Sequence, residues 1–525
     1  MPSFGSHPVL DLPGGAAQAA RPLLAIAADY DDACDPPHVR SSAALVPASP
    51  PFGIVHLGLG SFHRAHQAAY LQRLIEAGDD RWTLTSGNIC PDTGTLIDVL
   101  EAQRGGYTLE TVSPDGARRY QWIDAIRNVV RWEPTLARLV AAGADPATRI
   151  VSFTVTEAGY YLDAAGRLDP KAAEIASDLE AAAHGRPGRT LYGALAAILR
   201  ERQRRGAGGV TLLSCDNLRH NGDRARAALL AFIEMSADAG LLAWAQANTS
   251  CPNTMVDRIT PRPTADVVQR VKTATGRDDP AALMAESFSQ WVIEESFSAG
   301  RPAWEQVGVE MVATVVPYEE AKIRLLNATH SCIAWAGTLK GYSYIDEGVG
   351  DPEIRRLARD YATLDAIPAL GPSPLDLAAY RDAVLARFGN PAIRDTNERV
   401  AMDSYSKIAG FIAPTIRDRL AQDAGIEAVA TLPALFLACL QRWHLGPSPY
   451  PFHDQTLTPA AAHRLCADDD PIGRLASDAA LWGTAASDPR LVGALRRAAE
   501  RVTRFVDAAD TVHPESPAAQ GRARA

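Results

Sequence analysis

Three polar side chains that could act on an alcohol lie close together in one apolar, helix-like stretch of the 525-residue chain. The stretch covers residues 320–330 and contains Lys322, Asn327 and His330. A lysine of lowered pKa can remove a hydroxyl proton, and amide N–H groups can stabilise the resulting oxyanion. At about 100° per residue the three lie on one side of a helix, although Lys322 and His330 are about 12 Å apart along its axis. The array predicts a proton-abstraction site if the helix bends or the lysine reaches forward; otherwise it is a solvated helix face.

A glycine pair follows a short apolar run near the beginning of the chain. Residues 52–57 are β-rich, and Gly58 and Gly60 come directly before a helix-like stretch. Such a turn can bind a pyrophosphate, because the glycines let the backbone approach and the next helix presents unpaired N–H groups. His63 replaces the third glycine of the usual G-x-G-x-x-G pattern, and glycines at such turns can also serve packing alone. The turn still favours nucleotide binding, with His63 expected to cap the helix or contact phosphate.

The elements around the glycine turn predict an α/β domain. Strand-like runs at 82–88 and 106–113 enclose a helical stretch at 93–102, which is a βαβ pattern. Strands continue to alternate with helices up to about residue 300. We therefore predict a Rossmann-type dinucleotide-binding domain at 50–300.

The remainder of the chain has mostly helical patterns. The stretch 309–341, which carries the lysine array, is expected to form a helix entered after Pro317 and left at Gly341. We predict a mostly α-helical C-terminal domain at 301–510 that holds the substrate and the catalytic groups.

Composition limits the class of protein. A net charge of −10 argues against a nucleic-acid partner, and no apolar run reaches the roughly 18 residues that span a membrane. Seven cysteines without a C-x-x-C pair indicate reduced thiols in the cytoplasm, and no His or Cys cluster predicts a metal site. The Ala- and Pro-rich residues 1–49 are expected to be a disordered extension, and 511–525 a frayed tail.

Together the motifs resemble those of the long-chain polyol dehydrogenases, the mannitol dehydrogenase family. The resemblance runs from Phe52 to about Val506 and rests on several motifs in the same order. They are GLGSFHRAHQ at 58–67, SCDNLRHNG at 214–222, PNTMVDRITP at 252–261, AGRPAW at 299–304, and Lys322-x4-Asn327-x2-His330. The stretches 153–161, 251–266 and 327–337 are closer still to the branch that oxidises D-arabinitol at carbon 4.

The resemblance implies a zinc-independent mechanism with four catalytic residues. Lys322 corresponds to the general base, and Asn327 and Asn217 correspond to the pair of amides that stabilises the oxyanion. His330 corresponds to a histidine that orients the substrate. Glu319, three residues before the lysine, could pass protons to solvent, although an ordinary i,i+3 ion pair explains it equally well.

The resemblance also implies a set of polyol contacts. Val256 and Asp257 correspond to positions beside the reacting carbon and a neighbouring hydroxyl, and Arg399 and Lys407 to contacts from the second domain. Met402 stands where mannitol-type members carry histidine, which removes one hydroxyl contact and favours a shorter polyol. The expected reaction is therefore D-arabinitol and NAD to D-xylulose and NADH.

The expected cofactor is NAD rather than NADP. Asp79 and Asp80 have the spacing of a ribose-binding acid but precede the second strand, so they are expected in a solvated turn. Glu110 on the third predicted strand would repel a 2′-phosphate, and no Arg or Lys cluster stands ready to accept one. The residues expected at the cofactor are Gly58, Gly60, Phe62, His63 and Glu110.

Other functions remain open at this point. A mannitol 2-dehydrogenase or a uronate reductase of the same family would share every catalytic residue and differ in the second domain. A non-catalytic NAD-sensing module would keep the glycine turn but lose the lysine array, which is intact here. The oligomeric state cannot be read from the sequence.

Overall fold

The computed structural model of the protein describes residues 52–91, 95–163, 165–446 and 448–512. The predicted extension at 1–49 lies outside the described residues, as does the tail from 513 onward. Residues 511 and 512 of that tail still belong to the last helix, Pro489–Val512.

A parallel sheet of six strands forms the centre of the N-terminal half. The described strands of the chain are β1 (Phe52–Leu57), β2 (Trp82–Gly87), β3 (Tyr107–Val112), β4 (Arg118–Ile123), β5 (Ile126–Val130), β6 (Thr148–Phe153), β7 (Val210–Ser214), β8 (Thr249–Ser250), β9 (Thr254–Asp257), β10 (Leu283–Glu286), β11 (Gln290–Glu294) and β12 (Glu310–Val312). In the parallel sheet the order is β5-β2-β1-β6-β7-β8. This is the 3-2-1-4-5-6 order of a dinucleotide-binding fold, so the predicted Rossmann-type domain is confirmed.

The assignment of 106–113 as the third strand of that fold was wrong. β3 pairs antiparallel with β4 and parallel with β10, in a separate three-stranded sheet. The third strand of the parallel sheet is β5, which the chain reaches only after the β3–β4 hairpin. The sequence pattern could not separate these strands, because each is a short β-rich run of similar length.

Helices cover both faces of the parallel sheet. Neighbouring residues of β1 enter different cores: Ile54 packs in one core with Leu71, and Val55 in another with Leu199. This follows from the two-residue period of a strand, which sends alternate side chains to opposite faces. The helices of this half are α1 (Ser61–Ala65), α2 (Gln67–Glu76), α3 (Leu96–Ala102), α4 (Ala137–Gly143), α5 (Ala173–Ala183), α6 (Leu191–Arg205), α7 (Asn221–Met235), α8 (Ala239–Asn248) and α9 (Ala265–Thr275).

The C-terminal half is helical, as predicted, and packs around its own core, which contains Trp335 and Phe436. Its helices are α10 (Val316–Ala321), α11 (Ala328–Lys340), α12 (Ile345–Gly350), α13 (Pro352–Asp360), α14 (Ile367–Leu370), α15 (Leu377–Phe388), α16 (Asn397–Ala401), α17 (Ser404–Lys407), α18 (Ala413–Ala421), α19 (Thr431–Leu445), α20 (Pro459–Cys466), α21 (Pro471–Ala476), α22 (Ala479–Trp482) and α23 (Pro489–Val512). Three π-helical segments interrupt them: Lys322–Asn327, Tyr361–Ala366 and Ile408–Ile412.

The predicted lysine helix forms, with two differences. Pro317 lies in its first turn and Gly341 ends it with a φ of +86°, both as predicted. The helix does not begin at 309, because Glu310–Val312 pairs with β11 as strand β12. Its centre is the π-helical segment Lys322–Asn327, which lies between α10 and α11. The widened segment therefore carries the lysine and the asparagine of the predicted array.

Candidate active site

The ammonium of Lys322 is the point where distant parts of the chain meet. Its Nζ donates to Asn217 Oδ1 at 2.8 Å and to the backbone oxygen of Val256 at 2.5 Å. Asn217 follows the carboxyl end of β7, and Val256 belongs to β9. Because π-helical bulges re-aim side chains and are frequent at functional sites, the irregular segment suits this position. The structure thus brings together three of the residues predicted to form the site.

The surroundings of Lys322 favour its neutral form. The residue is buried, and burial lowers the pKa of the Lys322 ammonium, since a charge is costly away from water. The carboxylate of Asp257 opposes this shift, Arg387 adds to it, and Glu319 opposes it. The net direction is downward, which is what a lysine needs in order to accept a proton near neutral pH.

The turn that presents Asn217 is fixed by its neighbour Asp216, which the sequence analysis did not single out. The buried carboxylate of Asp216 accepts hydrogen bonds from the backbone N–H groups of Val155 and Thr156 and from the Tyr160 hydroxyl. Burial raises the pKa of Asp216. These bonds tie the loop after β6 to the loop after β7, so the amide of Asn217 projects from a fixed backbone.

Asp257 is held by a cation from the helical half. Arg387, on α15, donates to both oxygens of Asp257 at 2.8 and 2.9 Å and to both oxygens of Glu286 at 2.7 and 3.0 Å. All three side chains are buried, and the Arg387 guanidinium also lies over the ring of Phe288. The sequence analysis missed Arg387 and Glu286, because 130 positions of chain separate Arg387 from Asp257 and no local pattern joins them.

Glu319 lies one turn before the lysine and faces the Asn217 loop. Its buried carboxylate accepts a hydrogen bond of 3.1 Å from the backbone N–H of His220. Burial raises the pKa of Glu319, while the bond to His220 opposes that shift. A carboxyl group with a raised pKa next to the lysine is suited to exchange protons. The structure shows its link to His220 and not a direct bond to Lys322.

His330 lies between a ring and a carboxylate. Its imidazole stacks on Phe388 with ring centroids 4.3 Å apart, and its Nε2 is 3.2 Å from Asp395 Oδ2. The two atoms are close enough for an ion pair, but their alignment is poor for a hydrogen bond. Arg399 also pairs with Asp395, through Nε at 2.6 Å and through Nη2. Sequence reasoning missed Asp395, although its i,i+4 spacing to Arg399 was a usable signal.

The remaining residues singled out from the sequence lie on or beside the helices of the C-terminal half. Asn327 ends the π-helical segment and is partly exposed, with its backbone oxygen accepting a bond from Ser331. Lys407 ends α17 and donates to the backbone oxygen of Val400 at 2.7 Å, and burial lowers the pKa of Lys407 to about 8. Met402 is 38 % exposed, directly after α16.

The glycine turn after β1 has the form that a dinucleotide requires. Gly58 has a φ of +112°, and a Cβ there would lie 2.2 Å from the backbone oxygen of Thr154. A Cβ at Gly60 would meet nothing closer than 4.0 Å, which leaves open space above the turn. The backbone N–H of Leu59 donates to Asn88 Oδ1 at the end of β2. The turn is therefore rigid underneath and open on its outer side.

Two of the predicted cofactor contacts lie elsewhere. His63 was expected to cap or touch phosphate, but it is fully buried, stacked on His56 at 3.5 Å and 3.0 Å from Ser86 Oγ. Glu110 lies in the separate sheet, buried and paired with Arg118 and Arg270, so its carboxylate is already engaged by two arginines.

Other expectations concern the turn before β2, the cysteines, metals and membranes. Asp79 precedes β2 and pairs with Arg81. Phe62, beside the glycine turn, stacks on His66.

The described cysteines, six in number, are all free. Within the described residues, no group of three or more His, Cys, Asp or Glu side chains could hold a metal ion, and no helix is long and apolar enough to cross a membrane.

Comparison with known proteins agrees with this geometry. The chain is 56 % identical over 465 residues to D-arabinitol 4-dehydrogenase of Ralstonia nicotianae, covering 88 % of this chain and 98 % of that protein. It is 48 % identical over 445 residues to D-arabinitol 4-dehydrogenase of Klebsiella pneumoniae, covering 85 % and 97 %. A solved structure of Pseudomonas fluorescens mannitol 2-dehydrogenase, a ternary complex with NAD and D-mannitol, matches with a TM-score of 0.75 and 35 % identity over 90 % of this chain and 96 % of that one.

Family models cover both halves of the chain. Residues 52–306 match the mannitol dehydrogenase Rossmann domain, and residues 314–503 match the mannitol dehydrogenase C-terminal domain. The parallel sheet, the buried lysine and these matches confirm the resemblance seen in the motifs. The chain belongs to the mannitol dehydrogenase family of polyol dehydrogenases.

Proposed function

We propose that the protein oxidises D-arabinitol at carbon 4 to D-xylulose with NAD as the hydride acceptor. The observation that carries the proposal is the buried Lys322 ammonium held between Asn217 Oδ1 and the Val256 carbonyl. High identity to two D-arabinitol 4-dehydrogenases over most of the chain supports this substrate. The free described cysteines and the proposed reaction support a cytoplasmic location.

The fold provides a place for NAD. Open parallel sheets bind dinucleotides outside the carboxyl ends of their strands, at the point where the strand order reverses. Here that point lies between β1 and β6, where Gly58 and Gly60 form a turn with open space on its outer side. When bound, NAD would take up the hydride from the alcohol carbon. The related mannitol 2-dehydrogenase was solved with NAD, which supports NAD over NADP.

The lysine and the two asparagines have different proposed roles at the reacting oxygen: proton acceptance and hydrogen-bond donation. Neutral Lys322 accepts the proton of the hydroxyl oxygen while the hydride leaves the carbon that bears this hydroxyl. The product is then a neutral ketone. Because Asn217 Oδ1 accepts a bond from Lys322, its amide N–H groups remain free to donate to the developing oxyanion. Asn327 is proposed as the second donor. Glu319, with its raised pKa, would carry the proton onward toward the His220 loop.

The second domain and β9 would hold the rest of the polyol. Val256 and Asp257 lie next to the lysine, and each carboxylate oxygen of Asp257 keeps a lone pair beyond those used by Arg387. We propose hydroxyl contacts from His330 and Lys407, and an apolar wall from Met402. A pentitol fits this arrangement better than a hexitol, because Met402 offers no hydrogen bond to a further hydroxyl.

The substrate is tested with a panel of polyols. Purified protein is assayed with D-arabinitol, D-mannitol and other pentitols and hexitols in the presence of NAD or NADP, and with uronates in the presence of NADH, by the absorbance of reduced nicotinamide. D-Arabinitol with NAD should give the highest kcat/KM, with D-xylulose as product. An equal or greater kcat/KM on D-mannitol would favour mannitol 2-dehydrogenase instead, and activity on uronates alone would favour uronate reductase. No turnover of any compound would favour an NAD-sensing module.

The lysine is tested by substitution. Lys322→Ala should lower kcat by about 10²–10⁴-fold, the usual contribution of a positioned base, while NAD affinity stays nearly unchanged. Lys340→Ala is the matched control, because Lys340 ends the same helix and pairs with Asp351 and Glu353 away from the site. A Lys322→Ala protein with near-normal kcat and an unchanged pH profile would move the base to another residue, with His330 the next candidate.

A further inference from the structure

We propose that Asp395 is a positioning residue that holds the Nε2–H of His330, so that Nδ1 of His330 accepts a hydrogen bond from a substrate hydroxyl. The inference deepens the proposed function and rests on it. Its geometric basis is the 3.2 Å approach of Asp395 Oδ2 to His330 Nε2, on the edge of a ring whose face packs on Phe388.

The carboxylate decides which nitrogen of His330 carries the proton. A neutral imidazole has one N–H donor and one acceptor nitrogen, and a partner at one nitrogen fixes the tautomer. A carboxylate can only accept, so the proton stays on Nε2 and Nδ1 is left with its lone pair. Burial lowers the pKa of His330, with Asp395 opposing the shift, so the ring is expected to be neutral in the working enzyme.

Asp395 is itself held in place from several directions. Arg399 donates to both carboxylate oxygens of Asp395, and the backbone oxygen of Asp395 accepts a hydrogen bond from the N–H of Ile345. The preceding residue, Arg394, has a left-handed φ of +51°, and its guanidinium donates to the Tyr344 hydroxyl at 2.5 Å. A carboxylate on such a fixed backbone can orient an imidazole reproducibly.

The role of Arg399 changes as a consequence. The resemblance implied a direct polyol contact for Arg399, yet two of its nitrogens are taken up by Asp395. The contacts from His330 and Arg399 hold the pKa of Asp395 below its usual range despite burial, so the carboxylate stays charged as an acceptor. Arg399 therefore supports His330 through Asp395.

The test is a double-mutant cycle on the polyol that the wild-type protein oxidises best. Asp395→Asn should raise KM for the polyol and lower kcat/KM about 10–100-fold. Loss of a carboxylate that orients a metal-ligating histidine has an effect of this size. NAD affinity and the thermal midpoint should change little. In a His330→Ala background the same substitution should have almost no further effect, because it acts only through that ring. Asp346→Asn is the matched control, since Asp346, Asp395 and Phe388 line one cavity and both substitutions remove one negative charge.

Two results would overturn the assignment. The first is additive losses in the double variant, which would mean that Asp395 acts independently of His330. The second does not depend on turnover: crystal structures should show the His330 ring displaced from Phe388 in Asp395→Asn and in place in the wild type. An unmoved ring would refute the positioning role even if no polyol were oxidised, whereas an inactive wild type with the expected ring movement would refute only the proposed reaction.

Discussion

Acid should destabilise this protein through histidines buried beneath the glycine turn. Burial lowers the pKa of His63 and of His66 to about 3, and it lowers the pKa of His56 well below its usual value. His56 and His63 stack on each other, and His56 Nε2 contacts Thr154 Oγ1, which donates to the Gly58 carbonyl. Because Thr154 uses its only proton on Gly58, His56 must donate to it. The imidazoles beneath the turn are therefore neutral because burial lowers their pKa values, and one of them also hydrogen-bonds the threonine that supports Gly58.

The size of the effect follows from the two pKa values of each ring. An unfolded histidine takes up a proton near pH 6.5, while folded His63 stays neutral down to about pH 3, so falling pH favours the unfolded chain across that window. Between about pH 7.5 and about pH 5, one such histidine removes about 2 kcal/mol from the free energy of unfolding. The stabilisation is fully present above the unfolded pKa and declines below it.

The measurement is urea unfolding at both pH values for the wild type and for His63→Phe. Phenylalanine keeps a ring against His56 but cannot be protonated, so the variant should lose about 2 kcal/mol less than the wild type on acidification. Other titrating groups are common to both proteins and cancel in the comparison. His184→Phe is the control, because His184 is exposed and its charge need not be buried. Equal acid losses in the wild type and His63→Phe would refute the reasoning.

Four further outcomes are expected. Gly58→Ala should weaken NAD binding at least tenfold in a fluorescence titration, because its Cβ would collide with the Thr154 carbonyl at a φ of +112°. Arg387→Leu should lower the free energy of unfolding by about 3–5 kcal/mol in urea, since it leaves two buried carboxylates unpaired. Met402→His should raise the kcat/KM ratio of D-mannitol to D-arabinitol, by up to about tenfold for one added hydrogen bond. Dialysis against a strong chelator should leave the rate unchanged, and loss of activity restored specifically by zinc would contradict that expectation.

The sequence predicted those features that depend on local order along the chain. The glycine turn, Pro317 and Gly341 act through their own backbone, so their positions in the sequence fixed their positions in the fold. The lysine array was also predictable as a set. Its π-helical geometry could not be predicted. In such a segment each N–H bonds a carbonyl five residues away instead of four, and packing against other helices decides between the two.

The errors came from pairings between distant residues. Glu110 was assigned to the cofactor because strand order cannot be read from strand-like runs, and β5 replaces β3 in the parallel sheet. His63 was assigned to phosphate because a polar residue after a glycine turn was assumed to face outward, whereas it fills the space under that turn. Arg387 escaped notice because its two partners lie on other strands.

The proposed base, Lys322, lies where the two halves of the chain meet. Lys322 belongs to the helical half, but the oxygens that hold its ammonium come from Asn217 and Val256 in the N-terminal half. Lys322 is buried, and charged contacts cross the junction: Arg387 pairs with two carboxylates, and Arg219 contacts both Glu320 and the Gly410 carbonyl. Separating the halves would expose the lysine to water and raise its pKa again. The lowered pKa that the proposed base requires therefore depends on the docking of the two halves.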